Sequence, residues 1–337
     1  MNPRGWLESR WYSGRAPLLL RPLSLVYGVL VKLRRAAYRM GILSAGHPGV
    51  PVIVVGNVTV GGTGKTPLVL WLAVQLAANG WRVGVVSRGH GGSHAARAGR
   101  ARLVTAGDDP ADAGDEALLL ARESGCPVAI GVDRLEAARL LAVQGCRLII
   151  ADDGLQHLAL RRDVEIAVVD GGRLFGNGAL LPAGPLREPV ARLRHVDAVV
   201  VNGSCSALAE ASHLFAMRLR PVEMVSLADA AVQPLAQWQG REVHAVAGIG
   251  NPSRFFAILR ELGMRPREHA FADHHPFRPA DLAFGDGRDI VMTAKDAVKC
   301  RAFGTARMWY LRVATEFESD DAARLMQWLE ARLAEKH

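Results

Sequence analysis

Val54-Val55-Gly56-Asn57-Val58-Thr59-Val60-Gly61-Gly62-Thr63-Gly64-Lys65-Thr66-Pro67 passes from an apolar run through a cluster of glycines to a lysine and a threonine. A buried strand, a glycine-rich loop and a helix in that order form the context a phosphate-binding loop requires. Glycines let backbone amides curl around phosphate oxygens, and the helix N-terminus adds a favourable dipole. Gly61, Gly62, Thr63 and Gly64 are therefore expected to cradle phosphates, Lys65 to hold the β and γ phosphates, and Thr66 to bind magnesium. Thr59 stands where the strict G-x-x-x-x-G-K-[ST] form has its first glycine.

Around this loop, short β-branched runs alternate with longer helical patterns. The runs are Val52 to Val55, Val83 to Ser87, Val128 to Ile130, Leu148 to Asp152, Val164 to Val169 and Ala198 to Val201. That rhythm predicts an α/β fold of the P-loop NTPase type, a mostly parallel sheet with flanking helices, because parallel strands are buried on both faces and read as continuous apolar stretches. Helices are expected over Lys65 to Asn79, Asp115 to Glu123 and Arg134 to Gln144, with Gly80, Gly125 and Gly145 as stop signals. From His213 to Leu227 the pattern turns extended, and a second, smaller α/β set follows: strands at Val243 to Gly248, Asp289 to Met292 and Trp309 to Val313, helices at Ser253 to Leu262 and Asp320 to Glu335. The expected division is residues 1–40, an N-terminal membrane-associated helix; 41–212, the P-loop domain; and 213–337, the smaller α/β domain, joined by extended connector strands. Ligands in such architectures bind at the carboxyl ends of strands, often where two domains face each other.

Composition excludes several classes. With 337 residues, 50% hydrophobic and 22% charged, the chain can bury a sizeable core and is not disordered. Cys126, Cys146, Cys205 and Cys300 are far apart, with no metal-ligand spacing and no disulfide framework, which fits a reducing cytosol. A net charge of +8 suits an anionic partner. No aromatic-rich RNA-binding signature, zinc finger or DNA-reading helix accompanies it, so nucleic acid is not the expected partner.

The N-terminal run Ala16 to Val31 is apolar but interrupted by Arg21 and Pro22, and Lys32, Arg34, Arg35 and Arg39 follow it. Its uncharged piece, Pro22 to Val31, is too short for a bilayer needing roughly 20 apolar residues. A helix lying in the membrane interface fits it, with basic side chains toward acidic headgroups. A signal peptide and a helix packed on its own domain are the competing readings.

Further motifs carry chemistry. Ile149-Ile150-Ala151-Asp152-Asp153-Gly154-Leu155-Gln156-His157 places two carboxylates at a strand end, where P-loop proteins keep the acid that holds magnesium; a solvated turn is the alternative. Gly114-Asp115-Glu116 opens a helix, a position where acids are also simply favoured by the dipole. Ser87-Arg88-Gly89-His90 offers a cation after a strand, and the proline-braced Leu181 to Pro189 loop presents Arg187 and Glu188. Asp273-His274-His275 sets an acid beside imidazoles, the usual proton carriers near neutral pH.

Over nearly its whole length the chain resembles the tetraacyldisaccharide 4'-kinase (lipid A 4'-kinase) family, on these motifs together with Gly248-Ile249-Gly250-Asn251-Pro252 and Thr293-Ala294-Lys295-Asp296-Ala297-Val298-Lys299. Ala294 departs from the family pattern, which has Glu there. The resemblance implies ATP and Mg2+ as cosubstrates and a glycolipid acceptor, tetraacyldisaccharide 1-phosphate, phosphorylated on its 4'-hydroxyl at the cytoplasmic face of the bacterial inner membrane. It implies Asp115 and His274 as the proton-abstracting dyad, Thr66, Asp153 and Glu188 around magnesium, and Lys65 and Arg187 against phosphoryl charge. Asp152 would orient His274 or the metal shell, and Asn57, Arg88 and His157 would line the substrate site.

Two other classes remain as alternatives. A membrane-associated partitioning-type ATPase switch shares the Gly-Gly-Thr-Gly-Lys-Thr spacing, but Val60 replaces its second lysine. A metal-insertion GTPase needs a metal-relay cluster and Asn-Lys-x-Asp, of which Thr293-Ala294-Lys295-Asp296 is a loose echo.

Overall fold

Strand β1 (Val52–Gly56) is buried along its whole length, and its side chains alternate between two cores. Ile53 and Val55 pack with Leu68, Leu72 and Leu76 of helix α3 (Lys65–Ala78), whereas Val52 and Val54 meet Ala137, Ala138 and Leu141 of helix α6 (Arg134–Val143). Continuous valine and isoleucine are what such a two-sided strand demands. Truncating fully buried Leu72 to Ala would cost about 2–5 kcal/mol by lost transfer energy and the cavity left behind.

The computed structural model describes residues 3–12, 14, 16–93, 100–203, 213–318 and 320–335. The expected cysteine at 205 lies outside them, and Cys126, Cys146 and Cys300 are free thiols. Helices α1 (Pro3–Tyr12) and α2 (Arg21–Arg39) precede β1 and α3. Then come β2 (Val83–Ser87), β3 (Arg102–Val104), α4 (Pro110–Ala113), α5 (Asp115–Glu123), β4 (Val128–Ile130), α6, β5 (Leu148–Asp152), β6 (Val164–Asp170) and β7 (Ala198–Asn202). The remainder is β8 (Leu214–Ser226), β9 (Val232–Pro234), β10 (Glu242–Ala247), α7 (Pro252–Glu261), β11 (Arg265–Ala270), β12 (Asp289–Thr293), α8 (Ala294–Cys300), β13 (Met308–Phe317) and α9 (Asp321–Ala334).

All described strands join one sheet in the order β11-β10-β12-β13-β8-β7-β6-β1-β5-β2-β4-β3, with β9 alongside β8. From β7 to β4 every pairing is parallel. The same holds across β11, β10, β12 and β13. Between these two blocks lies an antiparallel ribbon: β8 pairs with β13 from Ser226↔Trp309 to Met217↔Phe317, while its first residues run parallel to β7. The extended stretch expected over His213 to Leu227 is thus one 13-residue strand.

Three strands escaped the sequence reading. Arg102–Val104 and Val232–Pro234 are short and only partly buried, and Arg265–Ala270 reads Arg-Pro-Arg-Glu-His-Ala at the sheet edge. Charge and proline there discourage edge-to-edge pairing, at the expense of the apolar alternation that announces a strand.

Helix α2 sits with an unusual face inward. Its buried residues are Ser24 and Gly28, while Leu23, Leu25, Val26, Val29, Leu30 and Leu33 point outward, as does Leu19 in the turn just before it, with 93% of its surface exposed. Ser24 Oγ donates to the Leu180 carbonyl at 2.8 Å and accepts from the Ala183 amide at 3.0 Å. A Cβ on Gly28 would stand 2.8 Å from Leu180 Cδ1, so a larger residue there would require that methyl to move. Among the described residues no helix is long and apolar enough to cross a membrane.

Candidate active site

The loop between β1 and α3 opens at the carboxyl edge of the parallel block. Gly61 and Gly64 hold φ of 108° and 97°. At Gly64 a side chain is excluded twice, by that dihedral and by Asn202 Nδ2 lying 2.7 Å from where a Cβ would stand. Asn202, at the end of β7, donates to the Thr63 carbonyl at 3.1 Å and accepts from Arg254 of α7 at 3.0 Å. Asn57 Nδ2 reaches the Gly61 carbonyl and Thr63 Oγ1, each at 3.4 Å, so its buried amide braces the loop from below.

β5 brings Asp152 and Asp153 to the same edge. Thr66 Oγ1 lies 3.5 Å from Asp152 Oδ2, while Asp152 Oδ1 is buried without a hydrogen-bond partner. Burial, together with the nearby Glu116 carboxylate, pushes the Asp152 carboxyl up to about 7 against the pull of Lys65. Asp153 takes the opposite course: burial raises it, but Lys65 at 3.6 Å and Arg187 at 2.8 Å outweigh that and hold its carboxyl well below the usual range. Arg134, buried at the start of α6, donates to the Asp153 carbonyl at 2.7 Å. Two adjacent acids thus differ in protonation tendency because Asp153 is ion-paired with Lys65 and Arg187, whereas at Asp152 burial and Glu116 outweigh the more distant cations.

Glu188 lies one link away. Gln156 Nε2 donates to the Asn57 carbonyl at 3.0 Å and to Glu188 Oε1 at 2.8 Å. The rest of that carboxylate faces Arg35 of α2 and Arg192, and Tyr27 of α2 donates to the Arg187 carbonyl at 3.0 Å. The N-terminal helix is therefore wired through Glu188 and Gln156 to the phosphate-binding loop. Arg88 is exposed after β2, and His157, held neutral with its ring pushed down to about 4 by burial and Arg134, sits in the turn after Gly154.

The third group spans the two parallel blocks. His274 Nδ1 stands 3.1 and 3.0 Å from the two oxygens of Asp115, which is buried at the first turn of α5. It is Asp115, not Asp152, that orients the imidazole. His274 has φ of 59°, a left-handed conformation uncommon for histidine and retained in functional sites. The hydrogen bond to Asp115 raises the His274 ring above its usual value despite burial, and the imidazole in turn helps hold Asp115 below the carboxylate range, against the penalty of burial. His90 meets the ring edge-on at 4.9 Å, and burial and the charge on His274 push it down. Gly250 links the dyad to the loop, since a Cβ there would lie 3.4 Å from the Gly62 amide nitrogen and 3.6 Å from Asp273 Oδ2.

Lys295 completes this cluster, and the sequence reading assigned it no role. Its ammonium lies 3.1 Å from Glu116 Oε1, 3.3 Å from Asp273 Oδ1 and 3.3 Å from His274 Nε2. It occupies the first turn of α8, where the helix dipole opposes a cation. A lysine in that unfavourable place was the available signal. Three neighbouring carboxylates hold it there and raise its pKa even though burial alone would depress it.

This arrangement can bind a nucleoside triphosphate at the loop and deprotonate a hydroxyl at the dyad. Residues 16–334 match the family model described as Tetraacyldisaccharide-1-P 4'-kinase. Tetraacyldisaccharide 4'-kinase of Alkalilimnicola ehrlichii is 51% identical over 94% of this chain and 93% of its own length. The enzyme of the same name from Methylobacillus flagellatus is 45% identical over 98% and 97%. The crystal structure of LpxK from Aquifex aeolicus in complex with ATP superimposes with a TM-score of 0.76 at 29% identity, covering 93% of this chain and 98% of that one.

Proposed function

The chain belongs to the tetraacyldisaccharide-1-P 4'-kinase family, and from that premise we propose that it transfers the γ-phosphate of ATP to the 4'-hydroxyl of tetraacyldisaccharide 1-phosphate. The observation that carries this reading is the convergence, on one sheet edge, of a P-loop lysine and threonine, a carboxylate pair and an Asp115–His274 dyad at 3.0 Å.

The donor set suits a hard divalent cation. Asp152 carries a buried, unpartnered carboxylate oxygen beside the Thr66 hydroxyl, and oxygen donors of this kind are what Mg2+ takes. Thr66 and Asp152 would hold it; Asp153 and Glu188, the acids expected from the sequence, are presented to Lys65 and Arg187 and to Arg35 and Arg192. Bound there, magnesium supplies charge neutralisation to the β and γ phosphates.

His274 keeps a lone pair on Nε2 because its other nitrogen is engaged by Asp115. The acceptor hydroxyl gives its proton to Nε2 as its oxygen bonds to the γ-phosphorus, the bond from that phosphorus to the β-bridging oxygen breaks, and ADP leaves with the electron pair. Asp115 stabilises the imidazolium that forms. Lys65 and Arg187 offset charge on the moving phosphoryl group, a contribution that needs no reorganisation during reaction.

The outward apolar face of α2, with Lys32 and Arg39 exposed on the same helix, supports a seat on an anionic lipid surface, which we read as the cytoplasmic face of the bacterial inner membrane. We read residues 1–40, 41–212 and 213–337 as the membrane-seated segment, the P-loop domain and the smaller α/β domain. The acceptor and the anchor then share one surface.

Labelled γ-phosphate transfer to tetraacyldisaccharide 1-phosphate in detergent micelles tests the activity. Lys65→Ala should reduce acceptor labelling by about 100-fold or more, the scale on which single charge-stabilising groups act. ATP hydrolysis by the intact protein without labelled acceptor would overturn the assignment.

A further inference from the structure

We infer that Lys295 is a positioning residue for phosphoryl transfer: its ammonium donates a hydrogen bond to the open ring nitrogen of His274, keeping that imidazole in the neutral form until an acceptor hydroxyl takes its place. This rests on the kinase reading and on the Asp115–His274 dyad, and it gives a purpose to the Thr293 to Lys299 motif.

Donor and acceptor chemistry decides the sense of the contact. An ammonium has three N–H donors and no acceptor. His274 Nδ1 faces both oxygens of Asp115, so it carries the ring proton, and Nε2 offers its lone pair to Lys295 at 3.3 Å. An imidazolium would turn an N–H toward that ammonium and lose the bond. The contact therefore exists with a neutral ring only. Lys295 is itself matched, since its three donors meet three acceptors, Glu116 Oε1, Asp273 Oδ1 and His274 Nε2.

The groups around His274 work in opposition. Asp115 at 3.0 Å and Asp273 at 3.8 Å favour the charged ring, and Lys295 opposes them. His90 packs edge-on, and Glu116 and Lys299 act at one remove, Glu116 on Lys295 and Lys299 on Asp115 at 3.8 Å. Without a cation at Nε2, the buried acid would bias the ring further toward its charged form, leaving less of the base free to accept the hydroxyl proton. Lys295 comes from α8 and Glu116 from α5, so the Lys295–Glu116 ion pair at 3.1 Å also registers the two parallel blocks against each other.

The test replaces Lys295 with Met, similar in length and uncharged, in the full chain. The His274 ring, followed by NMR titration, should titrate about one unit higher, the size of shift a nearby charge produces. The acidic limb of kcat/KM for the acceptor should move upward with it, while KM for ATP stays within about twofold of wild type on the alkaline plateau. Lys295→Arg should keep the wild-type limb, and Lys295→Gln gives the same reading as Met should that variant fold poorly. An unmoved His274 titration, or an even loss of activity at every pH without a shifted limb, overturns the inference. His274→Ala separates the two layers: transfer unchanged by that substitution removes the base assignment, whereas the His274 titration compared between wild type and Lys295→Met still reports on Lys295 by itself.

Discussion

Asp115 is the residue on which binding and chemistry part company. It touches His274, Lys295 and Lys299 but no part of the phosphate-binding loop, so Asp115→Ala should leave ATP affinity within about twofold while transfer falls by roughly 100- to 10,000-fold, the range for loss of positioned acid–base catalysis. Isothermal titration with ATP beside an acceptor-labelling assay checks both halves; near-wild-type labelling would remove Asp115 from the proton path. Gly64 should behave in the opposite manner. A methyl there meets Asn202 at 2.7 Å on a backbone held at φ 97°, and strain of about 1–3 kcal/mol predicts that Gly64→Ala weakens ATP binding by roughly 10- to 100-fold. Residues set by loop geometry or by a charge at a strand end stood out in the sequence, as Gly64, Lys65 and Asp152 did; Asp115, an acid at a helix start, was singled out only through the family resemblance. Arg134, Asn202, Arg254 and Lys295 did not stand out, because each acts through a partner far away in the chain, such as the Asp153 carbonyl or the Thr63 carbonyl.

Helix α2 shows the same limit for an element. Its apolar residues were plain in the sequence, yet apolar periodicity cannot say whether a stripe faces a core or a lipid. Ser24 and Gly28 show only that the stripe turns away from the described core, because small residues on the inner face let the helix lie against Leu180 and Ala183 and leave the leucines outside. Leu23→Glu with Leu30→Glu should therefore lower recovery on anionic vesicles by at least about tenfold, since two exposed leucines and two added like-signed charges together exceed the 1.4 kcal/mol that a tenfold change represents. Thermal unfolding in detergent-free buffer should be unchanged, both sites being exposed. Unaltered vesicle recovery would instead assign that face to a protein partner. The edge strand β11 is the counterpart at which sequence reading failed: Arg265, Arg267, Glu268 and His269 protect a sheet edge, and protection looks like a loop.

For the whole molecule, the fold class was readable from the rhythm of buried strands, but the continuity of one sheet through the β8–β13 ribbon was not, because pairing between strands separated by a hundred residues leaves no local mark. That ribbon holds the two parallel blocks together, its Met217 end lying beside Gly64 of the phosphate-binding loop, and the Asp115–His274 pair joins the blocks a second time. The pair has a defined pH window. Asp115 titrates below its unfolded value near about 3.9, so its contribution is present above that pH and is lost as pH falls through the lower folded value. His274 titrates above its unfolded value near about 6.5, so its contribution is complete below that pH and fades as pH rises through the higher folded value. The ion pair should therefore hold the blocks most firmly between about pH 4 and 6.5. Thermal unfolding of the ligand-free protein across pH should show the gap between wild type and His274→Gln widest in that window and narrowing on the alkaline side, and a gap independent of pH would mean that the pair carries no charge there. Since the base works only when neutral, the pH that most tightens this contact is one at which the enzyme is least able to transfer phosphate. Activity should rise on the alkaline side, where the contact survives as a neutral hydrogen bond and Lys295 and Lys299 remain to hold Asp115.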